Sequence, residues 1–245
     1  MRPTGFIDGG GTDDGGIRGV AVGIVTDNED PKDLGRVKLR FPWREADDES
    51  HWARIATEMA GTEYGTYFLP EIDDEVLVAF ENGDVHRPFV IGALWNGTQK
   101  PPQTNADGKN DIREIRSRSD HTIAFDDADD GSITIRTTDG NEIVIDDSGA
   151  SETIRIRDEK ADNSITLDSE SGTVEIDAKS ELSLSASTIA LDGNSIELSG
   201  TKGLTISGNG PIDIDSKAKL SLSGSMIDVD GTGIVNIKGS LIKLN

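Results

Sequence analysis

From Ile133 onward the chain repeats one small device: two aliphatic residues at i and i+2, then a polar stretch of Ser, Thr, Asn, Asp and Gly. Fourteen such pairs follow one another: Ile133/Ile135, Ile143/Ile145, Ile154/Ile156, Ile165/Leu167, Val174/Ile176, Leu182/Leu184, Ile189/Leu191, Ile196/Leu198, Leu204/Ile206, Ile212/Ile214, Leu220/Leu222, Ile227/Val229, Val235/Ile237 and Ile242/Leu244. The step from one pair to the next is longer at first, as from Ile143 to Ile154, and shortens from Val174 onward, as from Ile189 to Ile196. Side chains at i and i+2 share one face of a strand, so each repeat predicts a short strand with an apolar and a polar face. A period this short marks an array. Two inward side chains per strand cannot enclose a core, and a single-chain solenoid spends roughly 20 residues or more on each repeat. The pattern therefore predicts an intertwined trimeric β-helix over residues 112–245. Three identical chains each supply one face of a triangular prism, with backbone groups pairing between chains.

The pattern upstream is different. "GVAVGIVTD", "GRVKLRFPW", "HWARIAT", "DEVLVAF" and "RPFVIGALW" are alternating or continuous apolar runs bounded by Gly, Pro, Asp and Asn, which predicts about five strands between residues 17 and 100. Closure removes sheet edges, so the expected form is a five-stranded antiparallel barrel. The breaker-rich stretch "PPQTNADGKND", residues 101–111, reads as a linker, and the Gly- and Asp-rich residues 1–16 as a flexible arm. The fold class is all-β.

Composition restricts function more than fold. Apolar residues make up 34% of the chain and aromatic residues 4%, too little for a thick core along 245 residues. The net charge of −22 repels phosphate backbones and anionic lipid, which argues against nucleic acid or a membrane surface as partner. Cysteine is absent, so there is no disulfide framework or thiolate metal site. The N-terminal residues lack the apolar run of a signal peptide, which points to synthesis in the cytoplasm and release by another route.

Isolated candidates for chemistry have ordinary explanations. "GGGTDDGG" has neither a preceding strand nor a following Lys-Ser/Thr, so it is not read as a phosphate cradle. Asp126, Asp127, Asp129 and Asp130 cluster before Gly131, but no bidentate Glu closes the loop, and a solvated turn is expected instead of a calcium site. His121 follows Asp120 without any nucleophile context, so no catalytic residue and no cofactor are assigned. Asn96-Gly97-Thr98 fits a glycosylation sequon and equally a turn. Trp43, Trp52 and Trp95 could stack bases or sugars, but in so acidic a chain they are expected in the barrel core, with trimer contacts as the alternative.

An ordered motif set carries a resemblance. Gly35-Arg36-Val37, Phe41-Pro42-Trp43, Trp52-Ala53-Arg54, Gly61 with Gly65, Pro70, Asp74-Glu75-Val76, Gly83-Asp84, Arg87-Pro88, Gly92 and Leu94-Trp95-Asn96-Gly97 precede the strand-turn array. Together they resemble the spike family of contractile injection systems: phage baseplate protein V, VgrG of type VI secretion, and the spikes of extracellular injection particles. The resemblance implies an OB-fold barrel followed by a trimeric β-helix. It also implies a mechanical function: capping an inner tube and puncturing a target envelope without a chemical step. Three departures shape the expectation. VgrG chains begin with large hub domains, so the hub is expected on a separate polypeptide. Residues 101–111 leave no room for the lysozyme that some phage spikes carry. The histidines, His51, His86 and His121, lie far from Asn245, so the axial His-x-His iron site of other phage spikes is missing. Family members without that site are sharpened by a small PAAR-repeat protein, expected here on Ser240, Leu241, Ile242, Lys243, Leu244 and Asn245. The competing reading is the shaft of a trimeric tailspike or adhesin that binds a surface glycan.

Overall fold

The structure, a computed structural model, describes residues 16–45, 48–129, 131–149 and 152–243. The expected arm thus lies outside the described residues, apart from Gly16. Two units are distinguished, one running to Leu182 and the other from Ser183.

The first unit opens with a small barrel. Its strands are β1 (Val20–Asp27), β2 (Lys38–Arg40), β3 (Arg54–Ile55), β6 (Glu75–Phe80) and β7 (Pro88–Ala93), with a two-stranded hairpin, β4 (Ala60–Gly61) and β5 (Tyr64–Gly65), between β3 and β6. All five strand-forming runs of the sequence supply a barrel strand. The sheet order is β2-β1-β6-β7-β3, and the Val37–Ala53 bridge returns β3 to the entry of β2 and closes the ring. The expected antiparallel pairing needs one correction, because β3 runs parallel to β7. A ring of five strands cannot alternate direction all the way round, so one neighbouring pair must be parallel.

Alternation fills the interior. Along β6 every second residue, Val76, Val78 and Phe80, is buried, and these meet Val25, Val37, Leu39, Phe41, Ala53 and Val90. Gly23 keeps β1 close to this core, since a Cβ there would sit 3.2 Å from Val78 Cγ2 and 3.4 Å from Phe41 Cε1. Residue Ile91 is bulged out of the β6–β7 ladder, where Leu77 pairs with Gly92 and Val78 with Val90.

Seven strands follow in an antiparallel meander: β8 (Ile112–Arg116), β9 (Thr122–Asp126), β10 (Ser132–Arg136), β11 (Glu142–Asp146), β12 (Thr153–Asp158), β13 (Asn163–Asp168) and β14 (Thr173–Asp177). The register aligns the apolar pairs into two columns. One runs Ile115, Ile123, Ile135, Ile143, Ile156, Ile165, Ile176; the other runs Arg113, Phe125, Ile133, Ile145, Ile154, Leu167, Val174. The expectation that backbone pairing runs between chains from the first repeat is thereby revised: through residue 177 the ladder forms within one chain. Hairpin connections of a few residues make this local pairing accessible, whereas the shorter repeats beyond it leave no strand room to turn back. The array also starts earlier than the sequence pattern suggested, with Ile123 and Phe125 on β9.

The second unit repeats without pairing. Bends recur at residues 187, 193–194, 201–202, 209–210, 217–218, 225, 232–233 and 240, and the described residues between them carry no strand partner in the chain. No backbone–backbone hydrogen bond joins the described residues of this unit.

Candidate interaction surfaces

The barrel motif residues serve mostly to hold loops in place. Arg36 forms a bidentate pair with Asp30, both contacts at 2.7 Å, and Asp30 is almost buried. Asp30 also accepts the backbone N–H groups of Lys32 (3.0 Å) and Leu34 (3.1 Å). The Arg36 guanidinium and these N–H groups hold the Asp30 carboxyl far below the usual carboxylate range, against the opposing effect of its burial. Asp30 was not singled out in the sequence. Its signal was the Asp-Pro-Lys-Asp turn chemistry just before Gly35-Arg36.

Phe41 is fully buried and stacks on Trp43 with ring centroids 5.4 Å apart, the chain turning at Pro42 and Trp43. Gly35 takes a positive φ of 63° at the approach to the closing bridge. Gly65 has φ 145°, and a Cβ there would lie 2.3 Å from the Met59 carbonyl oxygen, so the β4–β5 hairpin requires glycine. The Pro70 carbonyl accepts from Asn28 Nδ2 at 3.0 Å. The Gly83 carbonyl accepts from Ile17 N–H at 2.8 Å, Asp84 Oδ1 accepts from His86 N–H at 2.9 Å, and Pro88 is buried at the start of β7. Asn96 Oδ1 accepts from the N–H groups of Thr98 and Gln99, at 2.8 and 2.7 Å, so Asn96-Gly97-Thr98 forms a side-chain-capped turn.

The tryptophans correct an expectation. Trp43 is 53% exposed and Trp95 69%, while Trp52 is half-buried beneath Arg36 and Lys38. Aliphatic residues with Phe41 and Phe80 fill the barrel interior instead. Trp95 lines a cleft of about 620 Å³ with Leu94, Pro102, Arg116 and Arg118, where the barrel meets the end of β8. A second hollow, about 610 Å³, is walled by Leu34, Met59, Tyr64, Tyr67 and Phe68. Each of those five side chains is more than half exposed.

The apolar columns of the meander are uncovered. Their aliphatic and Phe125 side chains are 38–68% exposed, far from the burial such residues take in a core. Polar tethers flank them. His121 Nδ1 accepts from Thr138 N–H at 3.2 Å, Asn141 Oδ1 from Glu159 N–H at 3.1 Å, and Asn163 Oδ1 from Lys179 N–H at 2.9 Å. Each tether links two neighbouring turns on one edge of the sheet, and His121 occupies the place that Asn fills in the next two turns. Of the acidic cluster, Asp126 caps Ala128 N–H and Asp127 pairs with Arg113, while Asp130 lies outside the described residues. Among the described residues no group of three or more His, Cys, Asp or Glu could hold a metal ion.

In the second unit the apolar pairs are exposed in a regular alternation. The first member is the more sheltered, as with Ile227 at 53% against Val229 at 71% and Val235 at 49% against Ile237 at 71%. Ser240, Leu241, Ile242 and Lys243 are exposed, and Leu244 and Asn245 lie outside the described residues.

Residues 21–95 match the family described as the type VI secretion system/phage-baseplate injector OB domain. The chain is similar to the type VI secretion system spike protein VgrG3 of Vibrio cholerae, 38% identical over 80 residues, which cover 31% of this chain and 8% of that protein. It is similar to the actin cross-linking toxin VgrG1 of Vibrio cholerae, 39% identical over 74 residues, 29% of this chain and 7% of the relative. It is also similar to the spike protein VgrG2a of Pseudomonas aeruginosa, 37% identical over 79 residues, 31% of this chain and 9% of the relative. The matched stretch is the barrel, and it spans less than a tenth of each of these relatives.

Proposed function

We propose that the chain is the central spike of a contractile injection system. As a homotrimer it caps the inner tube beneath a separate hub protein and is driven into the target envelope by mechanical force. The observation that carries this reading is the coincidence of a barrel similar to the spike family's with apolar pairs that, from Leu182 onward, have no backbone partner in their own chain among the described residues. A long run of extended backbone with free N–H and C=O groups and a periodic apolar stripe requires partner strands of the same period. Identical chains are the simplest source of that period. No catalytic step enters: force and rigidity suffice, and the chain is assembled into a phage-tail-like particle. A separate PAAR-like protein docks on Ser240, Leu241, Ile242, Lys243, Leu244 and Asn245 of the three chains, continuing their strand pairing and covering apolar side chains such as Ile242.

Light scattering of the purified chain tests the assembly. The expected mass is three times the 26.2 kDa of one chain, and a folded monomer at micromolar concentration overturns the reading. Cryo-electron microscopy of the native particle tests the role. Density for this chain on the tube axis supports a spike, whereas density at a peripheral fibre supports a glycan-binding shaft.

A further inference from the structure

Two hollows of the first unit adjoin at the seam that closes the barrel. Gly35 and Ile55 line the tyrosine-walled hollow described above, and the residues next to them in the chain, Arg36 and Arg54, line a smaller one of about 300 Å³. The larger hollow is apolar. Its Leu34, Met59, Tyr64, Tyr67 and Phe68 are 54–75% exposed, whereas core residues of the same barrel, such as Leu39 and Phe41, are fully buried. The chain has only two tyrosines, and both stand here. A contiguous apolar patch rich in Tyr on a closed, hydrogen-bonded barrel marks a binding surface, unlike single aliphatics scattered over a fold.

The smaller hollow is cationic in a chain of net charge −22. Arg36, Arg54, Arg87, His51 and His86 line it against one carboxylate, Glu81. Arg36 is committed to Asp30, and Arg87 pairs with Glu81 at 2.9 Å. Arg54 instead lies over the Phe89 ring, 4.5 Å from its centroid, and forms no ion pair with a described carboxylate. A guanidinium backed by an aromatic ring, with its donors open, favours a carboxylate ligand. The chain enters the barrel at this same place. Ile17 N–H donates to the Gly83 carbonyl at 2.8 Å, in the β6–β7 turn whose flanks, Glu81, His86 and Arg87, wall the cationic hollow. That hollow reaches from the turn to the seam, where the apolar one begins. Residues 1–15 lie outside the described residues, and their sequence sets Asp13-Asp14 just ahead of Gly16 and Phe6-Ile7 further back, with Gly9-Gly10-Gly11 between. Acid nearest the barrel and an apolar pair beyond it is the order in which the two hollows follow from Gly83. The stretch from Phe6 to Gly16 can reach up to about 33 Å, and a barrel of this size is roughly 30 Å across.

We propose that this double hollow binds the chain's own N-terminal segment, with Asp13 and Asp14 against Arg54 and Arg87 and with Phe6 and Ile7 in the tyrosine-walled hollow. A tethered segment binds at high effective concentration, so these few contacts suffice. The inference goes beyond the spike reading and stands or falls separately from it. In the test, Phe6→p-benzoylphenylalanine is introduced into the full-length chain, isotope-labelled and unlabelled copies are assembled together, and photo-cross-linked peptides are read by mass spectrometry. Adducts from position 6 to residues 57–69 of the same chain, carrying matched labels, are expected. Asp13→Arg/Asp14→Arg is expected to suppress them, and adding Arg54→Asp/Arg87→Asp to restore them in part. The Phe6→Ser/Ile7→Ser chain is expected to exchange its Tyr64 to Phe68 amides at least about threefold faster than the parent. Adducts of mixed label assign the surface to the segment of a neighbouring copy and overturn the proposal. Absence of adducts in residues 57–69, together with unchanged exchange, overturns it as well. Adducts that survive the charge reversal at Asp13 and Asp14 overturn the role given to the cationic hollow.

Discussion

Replacing Ile206 with Asp separates a single-chain from a trimeric account of the array. In the isolated chain Ile206 is 65% exposed. A surface substitution there costs within about 0.5 kcal/mol if nothing covers it. On the axis of a trimer the same change removes three buried aliphatic side chains at once. At roughly 1.5–3 kcal/mol each this is about 5–9 kcal/mol, before any cost of placing three carboxylates together. Desolvation and mutual repulsion both raise the pKa of those carboxyls in the trimer above their value in the free chain. A group bound more tightly to its proton in the assembled state favours assembly at low pH and opposes it as the pH rises through the raised value. Mass photometry is therefore expected to show the Ile206→Asp chain failing to trimerise at pH 8 and partly recovering toward pH 5. Thr205→Asp, one residue away and on the other side of the strand, is expected to assemble normally. Wild-type assembly of Ile206→Asp at pH 8 refutes an axial position for the column.

Other expectations concern the first unit. Phe41→Ala leaves a cavity in a fully buried site and is expected to cost about 3–5 kcal/mol, read as a lower denaturation midpoint with an unchanged slope. The Asp30 carboxyl, held low by Arg36, stabilises the barrel above the ordinary carboxylate range and loses that effect as the pH falls through its depressed value. Asp30→Asn is thus expected to lower the melting temperature at pH 7 and to flatten its dependence on pH in acid. His121→Asn is expected to keep the tether to Thr138 N–H, as Asn141 and Asn163 do, while His121→Ala speeds amide exchange at Thr138.

The sequence was most informative where a pattern repeats. The barrel strands announced themselves because residues such as Val76, Val78 and Phe80 alternate between breaker-rich turns, and the apolar pairs from Ile133 to Ile176 fell in the strands their spacing implied. What stayed hidden depends on non-local closure. The parallel β3–β7 pair follows from the odd strand count of the ring, which no local window contains. The exposure of Trp43 and Trp95 follows from where the closed ring places them, outside an interior filled by aliphatic residues with Phe41 and Phe80. Ile123 and Phe125 were visible as an i, i+2 pair but were masked by the aromatic residue and by the irregular spacing before Ile133. Whether a repeat pairs within its own chain was also illegible, since Ile165/Leu167 and Ile196/Leu198 look alike, and only the length of the intervening turn distinguishes them.

The three tethers of the meander have a consequence for how the protein is made. Each hairpin from β8 to β14 closes a short loop, and His121, Asn141 and Asn163 then tie neighbouring turns on one edge of the sheet, so this sheet can form rapidly from one nascent chain. The described repeats beyond Leu182 have no such local route, and on the trimer reading they wait for other chains. Refolding is accordingly expected in two phases, a fast one independent of concentration and a slow one that accelerates with it. Disabling the tethers is expected to yield trimers whose repeats start out of step, because a sheet that forms early also counts the residues for everything threaded after it.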